Sequence, residues 1–451
     1  MRTTLRSLAI SSLGLTSMVL TSTVLMLAGV TEARTRPHYG GVVRIESSAA
    51  ADTTGLVTET LTLVDASGRI EPLLAEHWEA QNGGRRWQFW LRANVRFHDG
   101  TILSATDIAQ ALSSKPGAPW RSVQANGSMV IFDTDQPQPS LPTLLSFPQY
   151  AISKTDSSGS LIGSGPFRLS SVAGNTTKLA AFDDYWQGRP FVDAVELDGG
   201  RGLRDQWMDL GVGRADIVEV PAEQIRHAQQ ERLHALVSRN IELIALVPSA
   251  TSIQDVRLRQ ALSAAIDRTS LLNVIFQKQG EVAAGVLPDW MTGYDFLFSA
   301  AQNLALARDL RGQAGQTGTI TIAYEAGDGI QQLLAERVVL NARDAGIVMQ
   351  AVPHNGNGQA DLNVVRLALA SPNAAIALRQ IASAIVPGDN GAADSDPEAL
   401  YRNERDLLSS YRVIPLLYVP RGFAASQRIR NWTLDTTGTP AVTQMWTEDR
   451  R

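Results

Sequence analysis

Hydrophobic and polar residues alternate along Val42–Ser47, the period-two pattern of a strand with one buried face. A similar pattern runs through His77-Trp78-Glu79 and through Arg86-Trp87-Gln88-Phe89-Trp90-Leu91. Asn82-Gly83-Gly84 between them is a hairpin signal, and Trp78, Trp87 and Phe89 are its candidate core. Asp99-Gly100 marks a turn. Ser104-Ala105-Thr106-Asp107 has the spacing of a capping box and predicts a short helix through Leu112. Lys115–Ser160 is rich in Pro, Ser and Gly and weakly periodic, which predicts loops and short strands. Leu161–Leu169 turns sharply at Gly163-Ser164-Gly165-Pro166 into a strand. Ala215–Val220 is another strand, and Pro221 suits the first turn of a following helix.

The second half alternates strands and helices. Asp255 can cap a helix whose apolar face is Leu258, Leu262, Ala265 and Ile266. Thr319–Tyr324 predicts a strand, and Ile330–Ala345 a helix with Leu334 and Val338 on one side. Gly346 ends that helix by taking the left-handed cap conformation. Ile347–Val352 and Asp361–Arg366 read as further strands. Strand, helix and strand within about 35 residues form a βαβ unit, so this half is expected to hold a mostly parallel sheet.

The N-terminus has a different character. Arg2 and Arg6 precede Leu8–Val30, a stretch without charge, followed by Thr31-Glu32-Ala33. A basic start, an apolar middle and small closing residues predict a secretory signal peptide over residues 1–33, cleaved after Ala33. An uncleaved membrane anchor is the competing reading, because about 20 apolar residues span a bilayer. Seven Ser/Thr within the run favour export and cleavage.

Composition narrows the function classes. The 451 residues carry 40 Lys+Arg against 45 Asp+Glu, a formal charge of −5. That balance argues against nucleic acid as a partner, because phosphate binding needs clustered cations. No cysteine is present, which excludes disulfides, thiolate metal sites and a Cys nucleophile. The six histidines form no HExxH motif; His227 and His234 lie seven apart, as if on the solvated face of a polar helix. There is no Gly-x-Ser-x-Gly elbow, no phosphate-binding loop and no dinucleotide fingerprint. Gly163-Ser164-Gly165 could seat an anion on its backbone N–H groups, although a tight turn also explains paired glycines. Catalysis, metal and cofactor thus have no positive sign.

Four stretches in order resemble the bacterial extracellular solute-binding proteins of family 5, the oligopeptide- and dipeptide-binding type. They are Ile70–Trp78 with Trp87–Leu91, Val95–Thr101 and Ala105–Ile108; Gly163–Phe167 with Tyr185–Pro190; Asp255–Leu262 with Ala265–Arg268; and Ala307–Gly315 followed by a strand and the helix ending Asp344-Ala345-Gly346-Ile347. The resemblance implies an α/β, two-lobed periplasmic-binding-protein fold of type II with an appended subdomain. Lobe I would comprise residues 40–72, 163–247 and 423–451, its subdomain 73–162, and lobe II 248–422.

The resemblance also implies a monomer exported to the periplasm that captures a small molecule or short peptide between its lobes and delivers it to an ABC permease in the inner membrane. A membrane-tethered sensor of the same fold is the first alternative, and a secreted hydrolase the second. Family members that bind peptides carry Trp-x-x-Asp-x-x-x-Pro, whose Asp pairs with the peptide α-amino group. Here Val365–Pro372 places Ala368 at the Asp position and lacks the Trp, so a peptide amino terminus loses its partner. Arg366 then becomes a candidate for a carboxylate or phosphate. Candidate ligand contacts at strand ends are Glu46, Ser47, Ser164, Tyr324, Glu325, Asn363 and Arg366. Arg257, Arg259, Asp267 and Arg268 are expected to form surface ion pairs on their helix.

Overall fold

In the computed structural model, residues 36–448 are described, apart from 232, 250–251, 295–297, 316–317, 355–359, 370 and 386–395. The expected signal peptide over residues 1–33 lies outside them, as does Ala370. Met1–His38 and Tyr39–Arg451 are two separate units; the second is described below.

Its first half contributes β1 (Val42–Glu46), β2 (Ala75–Gln81), β3 (Arg86–Leu91), α1 (Ala105–Ser113), β4 (Trp120–Asn126), β5 (Met129–Thr134), β6 (Phe167–Ala173), β7 (Thr176–Ala181), β8 (Ala194–Asp198), α2 (Leu203–Val212), β9 (Ile217–Val220) and α3 (Ile225–Gln230). The second half contributes β10 (His234–Pro248), α4 (Val256–Ala265), α5 (Leu304–Gln313), β11 (Ile320–Glu325), α6 (Gly329–Asp344), β12 (Met349–His354), β13 (Leu362–Ala368), α7 (Ala374–Ile385), α8 (Pro397–Ser409) and β14 (Ile414–Ala425).

The local signals hold where they were strongest. Ser104 caps α1 reciprocally with Asp107, Asp255 caps α4 through Arg257 N, and Gly346 follows α6 with φ 78°. The segment Lys115–Ser160 holds more regular structure than its composition suggests. β4 and β5 join β2 and β3 in a four-stranded antiparallel sheet, order β2-β3-β5-β4. Phe89, Phe97, Phe132, Ile108 and Leu112 pack beneath it, none more than 1% exposed, and each such side chain contributes about 1.5–3 kcal/mol by leaving water.

Every other long strand belongs to one sheet, ordered β6-β7-β8-β1-β9-β14-β10-β13-β11-β12. β1 runs parallel to β8 and β9, and β11 runs parallel to β12 and β13. These two parallel groups are joined by β14 and β10, which run antiparallel to their neighbours. The second half is therefore parallel only in its outer three strands. In β10, Ile244 and Leu246 enter a cluster with α4, α5 and α6, while Ile241, Leu243 and Ala245 enter another with α7 and α8. Burial on both faces erases the alternation by which a strand is recognised.

The helix signature around Asp255 has a different role from the one its charges suggest. Arg257 does pair with Asp255, through Nε at 3.1 Å and Nη2 at 2.9 Å. Arg259 instead donates to the carbonyls of Ile253, Gln254 and Ser410. Arg268 is only 4% exposed and donates to Ser263, Ala300 and Pro415. Both tie α4 to distant backbone; neither is a surface ion pair. His227 and His234 also do not share a helix. α3 ends at Gln230, and His234 opens β10, where its Nδ1 accepts from Trp432 Nε1 at 3.0 Å.

Candidate functional site

Where β10 and β14 run side by side, their ladder breaks register between Val237 and Asn240 and again before Glu242. Ser238 and Arg239 fall in this irregular stretch, the kind of bulge that re-aims side chains beside functional sites. Ser238 Oγ accepts from Arg421 N at 2.9 Å and donates to Arg239 O at 2.6 Å, so the kink is held from both strands.

Beside the kink lies a crevice of about 470 Å³, lined by Leu236–Arg239, Ile241, Trp290, Pro372, Trp432–Thr436 and Ala66. Its volume is that of a small-ligand site. Its walls come from chain segments far apart in sequence. Trp290 is fixed by its Nε1, which donates to Asn240 O at 3.0 Å, and the Arg239 guanidinium lies 5.2 Å above its ring. Trp432 is fixed by its bond to His234. Asp435, the one carboxylate in the lining, is taken up by its own turn: Oδ1 accepts from Thr437 and Thr439 backbone N–H, and both threonine hydroxyls bond the carboxylate.

None of the seven sequence candidates lines this crevice. Glu46 is 7% exposed at the end of β1, beside Arg201 (3.8 Å), which also pairs with Asp209. Burial and the Asp209 carboxylate push its pKa up to about 7 against the pull of Arg201. Ser47 Oγ donates to Ala49 O, a local turn contact. Ser164 is fully buried and donates to Glu59 Oε2 at 2.7 Å. Its flanking glycines serve close approach, because a Cβ on Gly163 would lie 1.9 Å from Val57 O and one on Gly165 2.5 Å from Leu56 O. The backbone there packs against backbone and seats no anion. Tyr324 is half-buried against the core, and Glu325 is exposed at the end of β11.

Asn363 and Arg366 do not act together. Three residues apart on β13, they point to opposite faces of the sheet: Arg366 shares its face with Leu362 and Val364, and Asn363 shares the other with Val365 and Leu367. The Arg366 Nη2 lies 2.7 Å from Glu242 Oε2 on the paired strand. Glu223 and Asp328 add negative charge nearby, and burial raises the Glu223 pKa despite the attraction of Arg366. This guanidinium is already neutralised.

Sequence reasoning missed Arg239, Trp290 and Trp432 because each sits in an aperiodic stretch, where only an isolated large aromatic or cation hints at a role. It also missed Glu59, which accepts from Ser164 Oγ, Tyr185 OH and Trp186 Nε1 and staples two family-like motifs together inside the fold. Among the described residues, no group of three or more His, Cys, Asp or Glu is placed to hold a metal ion, and no helix is long and apolar enough to cross a membrane.

Two groups of parallel strands bridged by two long antiparallel strands are the architecture of a type II periplasmic-binding protein, and solved structures of that class agree. The chain belongs to the bacterial extracellular solute-binding proteins, family 5, whose profile matches residues 69–366. It is similar to the probable ABC transporter periplasmic-binding protein SapA of Escherichia coli K12, 27% identical over 300 residues. That match covers 53% of this chain and 54% of SapA, so the chain aligns with about half the length of this relative. Its fold resembles the oligopeptide-binding protein AppA of Bacillus subtilis in complex with a nonapeptide (TM-score 0.75, 17% identity, covering 92% of this chain and all of that one). It likewise resembles NikA of Staphylococcus aureus in complex with Ni(L-His)2 (TM-score 0.76, 17% identity, 90% and 100%).

Proposed function

We propose that this chain is the exported solute-binding component of an ABC import system, which captures a small solute or short peptide and hands it to a membrane permease without altering it. In this reading lobe I comprises residues 40–72, 163–247 and 423–451 with 73–162 appended, and lobe II comprises 248–422. The two chain crossings between the lobes, in β10 and β14, form the hinge. One observation carries the proposal: the crevice lies beside the β10 kink and takes lining from both proposed lobes, Ala66 and Trp432–Thr436 from lobe I and Trp290 and Pro372 from lobe II. A change in hinge angle would move these walls relative to one another, which is what opening and closing on a ligand require. The similarity to the probable ABC transporter periplasmic-binding protein SapA supplies the analogy for an importer; the ligands in the AppA and NikA structures are not carried over.

Native mass spectrometry of protein purified without denaturation tests the reading. The expected result is a low-mass species lost on unfolding, which, added back, raises the melting temperature as binding to the folded state alone must. Protein that retains nothing and gains no stability from peptide, amino-acid and metabolite libraries would overturn it.

A further inference from the structure

The guanidiniums near the strand crossing differ in one respect. Arg366 is paired with Glu242 at 2.7 Å, and Arg421 approaches Glu219 at 3.8 Å. Arg239 is exposed and has no carboxylate partner among the described residues, yet it is not loose. Its backbone is pinned by Ser238 Oγ, and its guanidinium stands over the Trp290 ring, itself locked to Asn240 O. From this position the guanidinium can donate two parallel hydrogen bonds along one edge of its planar fork, the geometry that matches a carboxylate. From Arg239 the crevice continues along Leu236, Ile241, Pro372, Trp432 and Leu434, a largely apolar stretch of wall, while the carboxylate of Asp435 is held in its own turn by Thr437 and Thr439.

We infer that the crevice takes a small amphipathic carboxylate, its anionic end on Arg239 and its apolar body along the Trp432 side. A cationic group is disfavoured at this end, because it would meet the Arg239 guanidinium. A neutral molecule of the same shape would fill the crevice but leave the guanidinium unused. The inference rests on the crevice being the ligand site of the proposed binding protein, and it moves the anion contact from Arg366, where sequence placed it, to Arg239.

Three probes with one body separate the possibilities: 3-phenylpropionate, 3-phenylpropionamide and 3-phenylpropylamine, titrated calorimetrically into the wild-type chain and into Arg239→Gln, Arg239→Lys and Trp432→Ala. The acid is expected to bind roughly ten- to a hundredfold more tightly than the amide, as a charge-assisted bidentate contact requires. The amine is expected to be weakest. Arg239→Gln should erase the preference for the acid at unchanged melting temperature, and Arg239→Lys should keep only part of it. Trp432→Ala should weaken acid and amide alike. Equal binding of acid and amide, both weakened by Trp432→Ala, would overturn the carboxylate assignment while keeping the crevice. Preference for the amine, or no saturable binding of any probe, would overturn the inference; the native mass measurement judges the importer reading independently.

Discussion

Arg366 Nη2 and Glu242 Oε2 meet at 2.7 Å across the β13–β10 ladder, although 124 residues separate them in sequence. Glu242 lies directly opposite Ala368, the position that lacks the family's carboxylate. A negative charge is therefore present one strand away, already committed to Arg366.

Removing Arg366 should cost stability more than binding. Arg366→Ala leaves Glu242 and the nearby Glu223 carboxylate without their counter-charge in a part-buried setting, at about 1–3 kcal/mol. Urea unfolding should show the loss, and the double variant Arg366→Ala/Glu242→Gln should recover part of it. Because Arg366 does not line the crevice, affinity for 3-phenylpropionate should stay within about twofold of wild type.

Glu46 sets a pH dependence whose sign follows from its burial. Its pKa rises from 4.5 unfolded to about 7 folded. The folded state thus binds the proton more tightly, so this group's contribution is fully present below about pH 4.5 and is lost as pH rises toward 7. Glu46→Gln should flatten that decline, matching wild type near pH 4.5 and exceeding it at pH 8 by on the order of 2 kcal/mol. Melting temperatures across pH 4.5–8 decide; a parallel offset at every pH would contradict it.

Glu59 holds three donors inside the fold. Glu59→Ala strands the Ser164 and Tyr185 hydroxyls and the Trp186 indole N–H, and is expected to cost about 3–5 kcal/mol. Glu59→Gln retains a carbonyl acceptor and should cost less. Denaturant midpoints of the two variants provide the ranking.

Two glycines should respond in opposite senses. Gly163→Ala drives a methyl into the Val57 carbonyl and should prevent folding at 37 °C. Gly211→Ala, inside α2 with open space around the new methyl, should stabilise by about 0.5–1 kcal/mol. Thermal unfolding of Gly211→Ala and soluble yield of Gly163→Ala are the readouts.

Local order was legible in the sequence because its causes are local. The capping boxes and caps at Ser104 and Asp255, the Asn82–Gly84 turn, the amphipathic α6 and the β11–α6–β12 crossover all follow from side chains within a few residues of one another. The ordered motifs also carried the family resemblance, and with it the class of fold. The strands that organise the molecule were not legible. β10 and β14 are apolar on both faces, so period two disappears just where the two groups of parallel strands join.

The site was harder still. Counting along β13 places Arg366 at a promising strand end, but only pairing with β10 brings Glu242 to it. Charge compensation depends on register, which no short stretch encodes. In the same way Arg239, Trp290 and Trp432 look unremarkable in sequence and become one wall-to-wall crevice only when the chain has returned through both crossing strands. The sequence by itself determined which segments are helix, turn and half-buried strand. Tertiary structure decided which charges are neutralised and which remain free, because that depends on long-range neighbours.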